Sequence, residues 1–250
     1  MGKGIKDIIS LYSKPFNREL KATNVAKQRL KEMGTSYSTK AGKVLLDIEK
    51  DKVILEWDKK ISFGEIAHEA VRKRNMDLYP NHIFEGYKNN NEGFKDFDSS
   101  KINKIEREIH YYEKHIVNND LKSSGYIDDL FVDKKGYIHI NEMKTYSKLV
   151  RGYSFEKNGL RFTENCYSPI SHLIDCNFTD ANLQASFYMY IIWNSNKKFK
   201  PGTITITHIK LDEEGNRTGE EIAYPAPYLL NEVKDIIKDY RKRLENGIII

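Results

Sequence analysis

Asp128, Glu142 and Lys144 are the residues whose types and spacing could do chemistry in this chain. Asp128 lies in Gly125-Tyr126-Ile127-Asp128-Asp129-Leu130-Phe131, and the other two close the run Ile140-Asn141-Glu142-Met143-Lys144-Thr145. Both segments read as β-strands, joined by a turn at Asp133-Lys134-Lys135-Gly136. Side chains at i and i+2 of a strand share a face. Glu142 and Lys144 therefore converge on one point, with Asp128 arriving from the neighbouring strand. Two carboxylates offer hard oxygen ligands suited to Mg²⁺, and an ammonium beside them can serve a phosphate or an attacking water. Together these are the parts needed to cut a phosphodiester.

Spacing alone is a weak signal, because acid-x-Lys recurs at Asp58-Lys60 and Asp133-Lys135. The context of Glu142 is stronger: it follows the β-prone run Tyr137-Ile138-His139-Ile140, as Asp128 sits inside another. The plain alternative is a solvated hairpin whose charges face water. Asp129, next to Asp128, is expected on the opposite face of its strand.

The elements around this hairpin follow from periodicity. Asn17 to Met33 reads as a helix with a basic outer face, ended near Gly34, while Lys43 to Trp57 fits a strand or a helix equally well. Ser62-Phe63-Gly64-Glu65 has the form of a capping box, opening a helix through about Asn75. Tyr79 to Ser100, rich in Asn, Gly, Asp and aromatics, reads as a long loop or small insertion. Lys101 to Val117 is expected as a charged helix, and Lys148 to Asn177 as irregular. Thr179 or Asp180 can cap a helix through about Trp193, with Leu183, Phe187 and Ile191 on one stripe. Thr203 to Lys210 is a Thr/Ile strand, and Asp212 to Gly219 a turn into a last short strand. Pro225-Ala226-Pro227 precedes a final helix over Leu229 to Leu244. The expected architecture is an α/β sandwich around a mixed sheet.

The 250 residues suffice for one substantial core, and we expect a single domain: a helical extension over 1–60 and a core over 61–245. No apolar run approaches a membrane span, and Met1 to Lys6 carries no apolar signal segment. A cytoplasmic protein without a membrane partner is expected, in the host cytoplasm if a phage encodes it. Cys166 and Cys176 are the only cysteines, too few for an iron–sulfur cluster or a tetracysteine zinc site. A formal charge of +5 permits a basic groove without demanding one.

Gly-x-Ile-Asp…Glu-x-Lys-Thr resembles the core motif of the PD-(D/E)XK nuclease superfamily, and specifically its RecB-like exonuclease branch. That branch also has Gly-x-x-x-His on an early helix, a Glu before the Asp strand, and Gln-x-x-x-Tyr on a later helix. Gly64-Glu65-Ile66-Ala67-His68, Glu113 and Gln184-Ala185-Ser186-Phe187-Tyr188 stand here in the same order, so the resemblance spans Gly64 to Tyr188. It implies a restriction-endonuclease-like core, a mixed central β-sheet flanked by helices. It further implies a metal-dependent deoxyribonuclease acting in DNA recombination, repair or phage DNA processing.

The resemblance implies roles residue by residue. His68 would complete a site for Mg²⁺ or Mn²⁺ with Asp128 and Glu142, and the backbone carbonyl of Met143 would be a further ligand. Without the resemblance, a lone helical histidine reads as a packed residue and Glu113 as a solvated acid of a charged helix. Glu113 would be a supporting acid. Lys144 would orient or deprotonate the attacking water. Gln184 and Tyr188, four apart on one helical face, would border the site, although they also adjoin a core stripe. Gly64 would let the backbone pass close to a neighbour or to the nucleic acid.

Lys148, Arg151 and Arg161, with Lys157, are interleaved with Tyr153, Phe155, Phe162 and Tyr167. Cations with aromatic platforms suit single-stranded or frayed DNA, and an ordinary polar loop with inward aromatics has the same composition. No Gly-x-x-x-x-Gly-Lys-Ser/Thr loop occurs, so any ATP-driven unwinding would come from a separate helicase or recombination protein. An endonuclease, or a non-catalytic nucleic-acid-binding module retaining the nuclease fold, remains the alternative.

Overall fold

A computed structural model describes residues 3–13, 18–78, 109–145, 149, 154–157, 160–212 and 217–248. A short strand β1 (Lys3–Gly4) leads straight into α1 (Ile5–Ser10), and a helical hairpin follows, α2 (Arg18–Glu32) and α3 (Lys40–Leu78). Three long strands come next: β2 (Ile109–Asn118), β3 (Ser123–Val132) and β4 (Tyr137–Lys144). A small separate hairpin, β5 (Ser154–Lys157) and β6 (Leu160–Thr163), precedes α4 (Asn177–Ser195). Strands β7 (Lys200–Leu211) and β8 (Arg217–Ala226) and the helix α5 (Leu230–Glu245) complete the chain.

The main sheet runs β1-β3-β4-β7-β8, with β2 also on β3. It is of mixed polarity: β3–β4 and β7–β8 are antiparallel, whereas β4–β7 and β1–β3 are parallel. A parallel pair needs a long crossover, and α4 lies between β4 and β7 in the chain. This helix is buried over Ala181–Met189 without a break, because it packs against the sheet as well as against α1 and α5. Its apolar side chains therefore run almost around it, and the expected stripe Leu183, Phe187 and Ile191 lies in the core. Ile5, Ile8 and Ile9 of α1 join the same core, with Leu130 and Val132 of β3, Ile138 and Ile140 of β4, and Val233 and Ile236 of α5. The second half of α3 covers the other side of the sheet, where Ala67 and Val71 pack on Met143 and Ile209.

Three expectations are corrected. The charged helix expected over Lys101–Val117 fails over its described part, since 109–118 form β2, paired antiparallel with β3. The run Ile109-His110-Tyr111-Tyr112 and Ile116-Val117 is β-branched and aromatic, and nine ladder positions outweigh the helical charge pattern. Ser62 does not cap a helix. It lies within the 39-residue α3, where its hydroxyl donates back to the carbonyls of Asp58 and Lys59 at 3.2 and 2.9 Å. The irregular span Lys148–Asn177 contains the β5–β6 hairpin and an isolated bridge between Asn165 and Ile174.

The ambiguous Lys43–Trp57 is helical, and α3 runs across position 60, where the extension was expected to end. Helix α2 closes with Thr35 N–H donating to the Leu30 carbonyl at 2.8 Å and Gly34 N–H to Lys31 at 3.0 Å. The expected loop over Tyr79–Ser100 lies outside the described residues.

Candidate active site

The sheet divides at the end that carries Asp128 and Glu142. β3 pairs with β4 from Val132↔Ile138 to Asp129↔Asn141, and there the pairing stops. Beyond that point Glu142, Met143 and Lys144 pair only with β7, at Ile206, Thr207 and His208. β2 holds the opposite edge of β3 throughout. β1 takes Ser123 and Ser124 on the edge that β4 has left. The result is a fork: β3 on one side, the end of β4 on the other, and the start of α1 inside it.

Asp128 stands at the point of divergence. Its Oδ2 accepts the Met143 N–H at 2.8 Å, so a side chain takes the backbone donor that the ladder no longer satisfies. Its Oδ1 lies 3.9 Å from His68 Nδ1. Glu142 is fully buried, and its Oε2 accepts the Lys144 ammonium at 2.8 Å. Lys144 is itself 8% exposed. The other carboxylate oxygen of Glu142 has no hydrogen-bond partner among the described residues.

Burial, and then the charge of Asp128, push the Glu142 carboxyl up to about 8, while Lys144 and Lys6 pull the other way. Such a carboxylate holds its charge cheaply only when a cation joins it. Hard oxygen donors, one of them buried and unpaired, fit a divalent cation of the Mg²⁺ kind. Among the described residues no three His, Cys, Asp or Glu side chains gather into a cage. Mg²⁺ does not require one, since it is usually held by one or two carboxylates with water and phosphate oxygens filling the remaining positions.

Two glycines are explained by close approach. A methyl on Gly125 would meet the Tyr188 hydroxyl at 2.6 Å, and one on Gly64 would meet Thr145 Oγ1 at 2.7 Å. Gly64 thus lets α3 approach the end of β4, which brings His68 to Asp128. Gly125 leaves room for Tyr188, whose hydroxyl accepts from the Gln184 amide at 2.9 Å. Tyr188 is buried, and burial followed by the charge of Glu142 keeps its hydroxyl protonated.

His68, Asp128, Glu142, Lys144, Gln184 and Tyr188 are thus assembled around the fork. Met143 contributes its N–H to Asp128, and its side chain faces the small cluster under α3. Glu113 lies on β2, not on a helix; the register that pairs Tyr112 with Asp129 and Lys114 with Ile127 sets position 113 across from Asp128. Asp129 engages His110 and takes no part in the fork. Lys148, Arg151 and the side chain of Arg161 lie outside the described residues.

Two residues of the fork were not identified as candidates from the sequence. Asp180 has a buried Oδ1 without a hydrogen-bond partner among the described residues. Burial and then Asp175 push its carboxyl up to about 6, against the pull of Lys6 and Lys144. The signal was present, since Asp180, Gln184 and Tyr188 follow one another at four-residue steps on α4. Lys6 enters through the β1–β3 pairing, a long-range contact with no local signature.

Comparison of the chain with protein-family models, with curated proteins and with solved structures finds no match in any of the three. Among the described residues no helix is long and apolar enough to cross a membrane.

Proposed function

We propose that this chain is a metal-dependent DNA nuclease with a restriction-endonuclease-like core, most simply an exonuclease of the RecB-like kind. The observation that carries the reading is the fork itself. A buried Glu142–Lys144 pair and Asp128 stand where β3 and β4 part, with one carboxylate oxygen unpaired among the described residues. Asp128 and Glu142 would hold Mg²⁺ or Mn²⁺, with the Met143 carbonyl as a further ligand and His68 approaching from α3.

The cation would supply charge neutralisation at the phosphate and a more acidic water. The chain's own residues do the rest. Lys144, fixed by Glu142, orients the attacking water and donates to the phosphate oxygen as charge builds there. Asp128, fixed by the Met143 N–H, keeps its remaining oxygen directed into the fork. Tyr188 and Gln184 wall the site and exclude bulk water. Glu113, across from Asp128, supports the acid cluster, and Lys148, Arg151 and Arg161 supply the path for the DNA backbone.

The test is degradation of end-labelled linear DNA, single- and double-stranded, beside a closed circle, with Mg²⁺, Mn²⁺ or EDTA. Metal-dependent loss of linear DNA alone identifies an exonuclease, and cutting of the circle identifies an endonuclease. A gel shift without cleavage in either metal would overturn hydrolysis in favour of a binding module.

A further inference from the structure

We propose that Lys6, carried into the fork by β1 and α1, is a second cation of this site. It contacts a phosphate of the bound strand while Lys144 remains with Glu142. The inference rests on the nuclease reading and deepens it by assigning the substrate's backbone a residue outside the span of the motifs.

β1 occupies the edge of β3 that β4 vacates, with Gly4 beside Ser124. The first turn of α1 is fixed there because the Gly4 N–H donates to Asp7 Oδ2 at 2.9 Å and Ile5, Ile8 and Ile9 are buried in the main core. Lys6 projects from this anchored turn, and among the described residues it makes no hydrogen bond and no ion pair. Among the described residues, the charges of Lys144, Glu142, Asp128 and Asp180 act on it.

Lys144 is buried and held by Glu142 at 2.8 Å, so it meets only a phosphate already inside the fork. Lys6 is exposed and can meet the strand from solvent. Two ammonium groups brought together repel one another, and Lys144 is the main reason that the Lys6 pKa is lowered, with desolvation of its head adding to it and the three carboxylates opposing. A phosphate set between the two cations turns that repulsion into attraction. Because Lys6 acts on the substrate and not on the water, its removal is expected to raise KM more than it lowers kcat.

The experiment compares wild type, Lys6→Met and Lys6→Arg. Cleavage kinetics are read with Mg²⁺, and anisotropy of a labelled single-stranded oligonucleotide is read in EDTA between about 50 and 200 mM salt. Lys6→Met is expected to weaken binding about tenfold and to lower the slope of log affinity against log salt by roughly 0.7, one phosphate contact on a single strand. Lys6→Arg recovers most of both. The side chain is exposed, so melting temperatures should agree within about 2 °C.

If wild type cuts while Lys6→Met keeps the affinity and the salt slope, Lys6 is not a phosphate contact and the nuclease reading stands. If wild type binds without cutting and Lys6→Met loses that binding, the contact stands and the hydrolysis falls. If wild type neither binds nor cuts with Mg²⁺ or Mn²⁺, both fall.

Discussion

β4 has an acid-x-lysine tripeptide close to each of its ends, and the two do different things. Before it, Asp133-Lys134-Lys135 forms the turn from β3: Asp133 Oδ1 accepts the N–H groups of Lys135 and Tyr137, each at 2.8 Å, and Lys135 is exposed. At its end, Glu142-Met143-Lys144 is buried, and its acid and lysine bond to each other. The first acid closes a turn and leaves its lysine to water. The second pair is removed from water at a place where the sheet has opened. Charge becomes chemistry only where solvent no longer screens it, so the fork, and not the tripeptide, distinguishes the two.

The largest difference is expected in cleavage. Lys144→Ala should lower kcat by about 10³-fold with DNA binding largely kept, whereas Lys135→Ala should cleave as wild type does. Parallel turnover and anisotropy measurements check this. Equal turnover in the two variants would remove Lys144 from the mechanism.

Packing should break the comparison next. Gly125→Ala places a methyl 2.6 Å from the Tyr188 hydroxyl and should cost about 1–3 kcal/mol, read by chemical denaturation. Tyr188→Phe removes the hydroxyl and should restore part of that stability. If the double variant is no more stable than Gly125→Ala alone, the ring edge at 2.9 Å and not the hydroxyl is what requires glycine here.

What the sequence made legible was local. The β3–β4 hairpin shows itself in strand-length β-prone runs around a Gly-containing turn, and α4 in a helical repeat of apolar residues. Four-residue steps along one helix also placed Gln184 next to Tyr188, whose side chains do bond. What stayed hidden depends on partners distant in the chain. β2 carries a charge pattern that fits a helix, and only its pairing with β3 overrides that. Ser62 and Glu65 imitate a helix start because a serine hydroxyl can bond either to an exposed N–H or back to a carbonyl, and the preceding helical turns decide which. The fork itself is a failure of pairing between two strands, and an alternating pattern does not report where its ladder stops. Lys6 was invisible for the same reason, being placed by two residues of β1 that occupy the vacated edge.

The buried acid should also respond to pH. Glu142 is pushed up to about 8 from the ordinary 4.5, mainly by burial and then by Asp128. The folded form then keeps a proton that the unfolded chain releases. Stability from this group is present in full below about 4.5 and is lost as pH rises through about 8. Asp180, up at about 6 from 3.8, acts in the same direction over a narrower range. In EDTA the melting temperature should therefore fall between about pH 5 and 8, and Glu142→Gln should flatten most of that fall. Mg²⁺ should restore stability at pH 8 in wild type and not in Glu142→Gln. A slope unchanged by Glu142→Gln would place its source in another group.

The smallest effect belongs to the turn. Asp133→Ala removes two hydrogen bonds to exposed backbone N–H groups, which water can replace, so it should cost about 1 kcal/mol and lower the melting temperature by about 2–4 °C. Asp133→Asn keeps the accepting oxygen and should lose less. Cleavage should be unchanged in both, because Val132↔Ile138 through Asp129↔Asn141 hold the register between the turn and the fork. Kinetics alongside melting decide the point. If Asp133→Ala loses activity as Lys144→Ala does, the turn sets the register that the fork depends on, and the two ends of β4 act as one device.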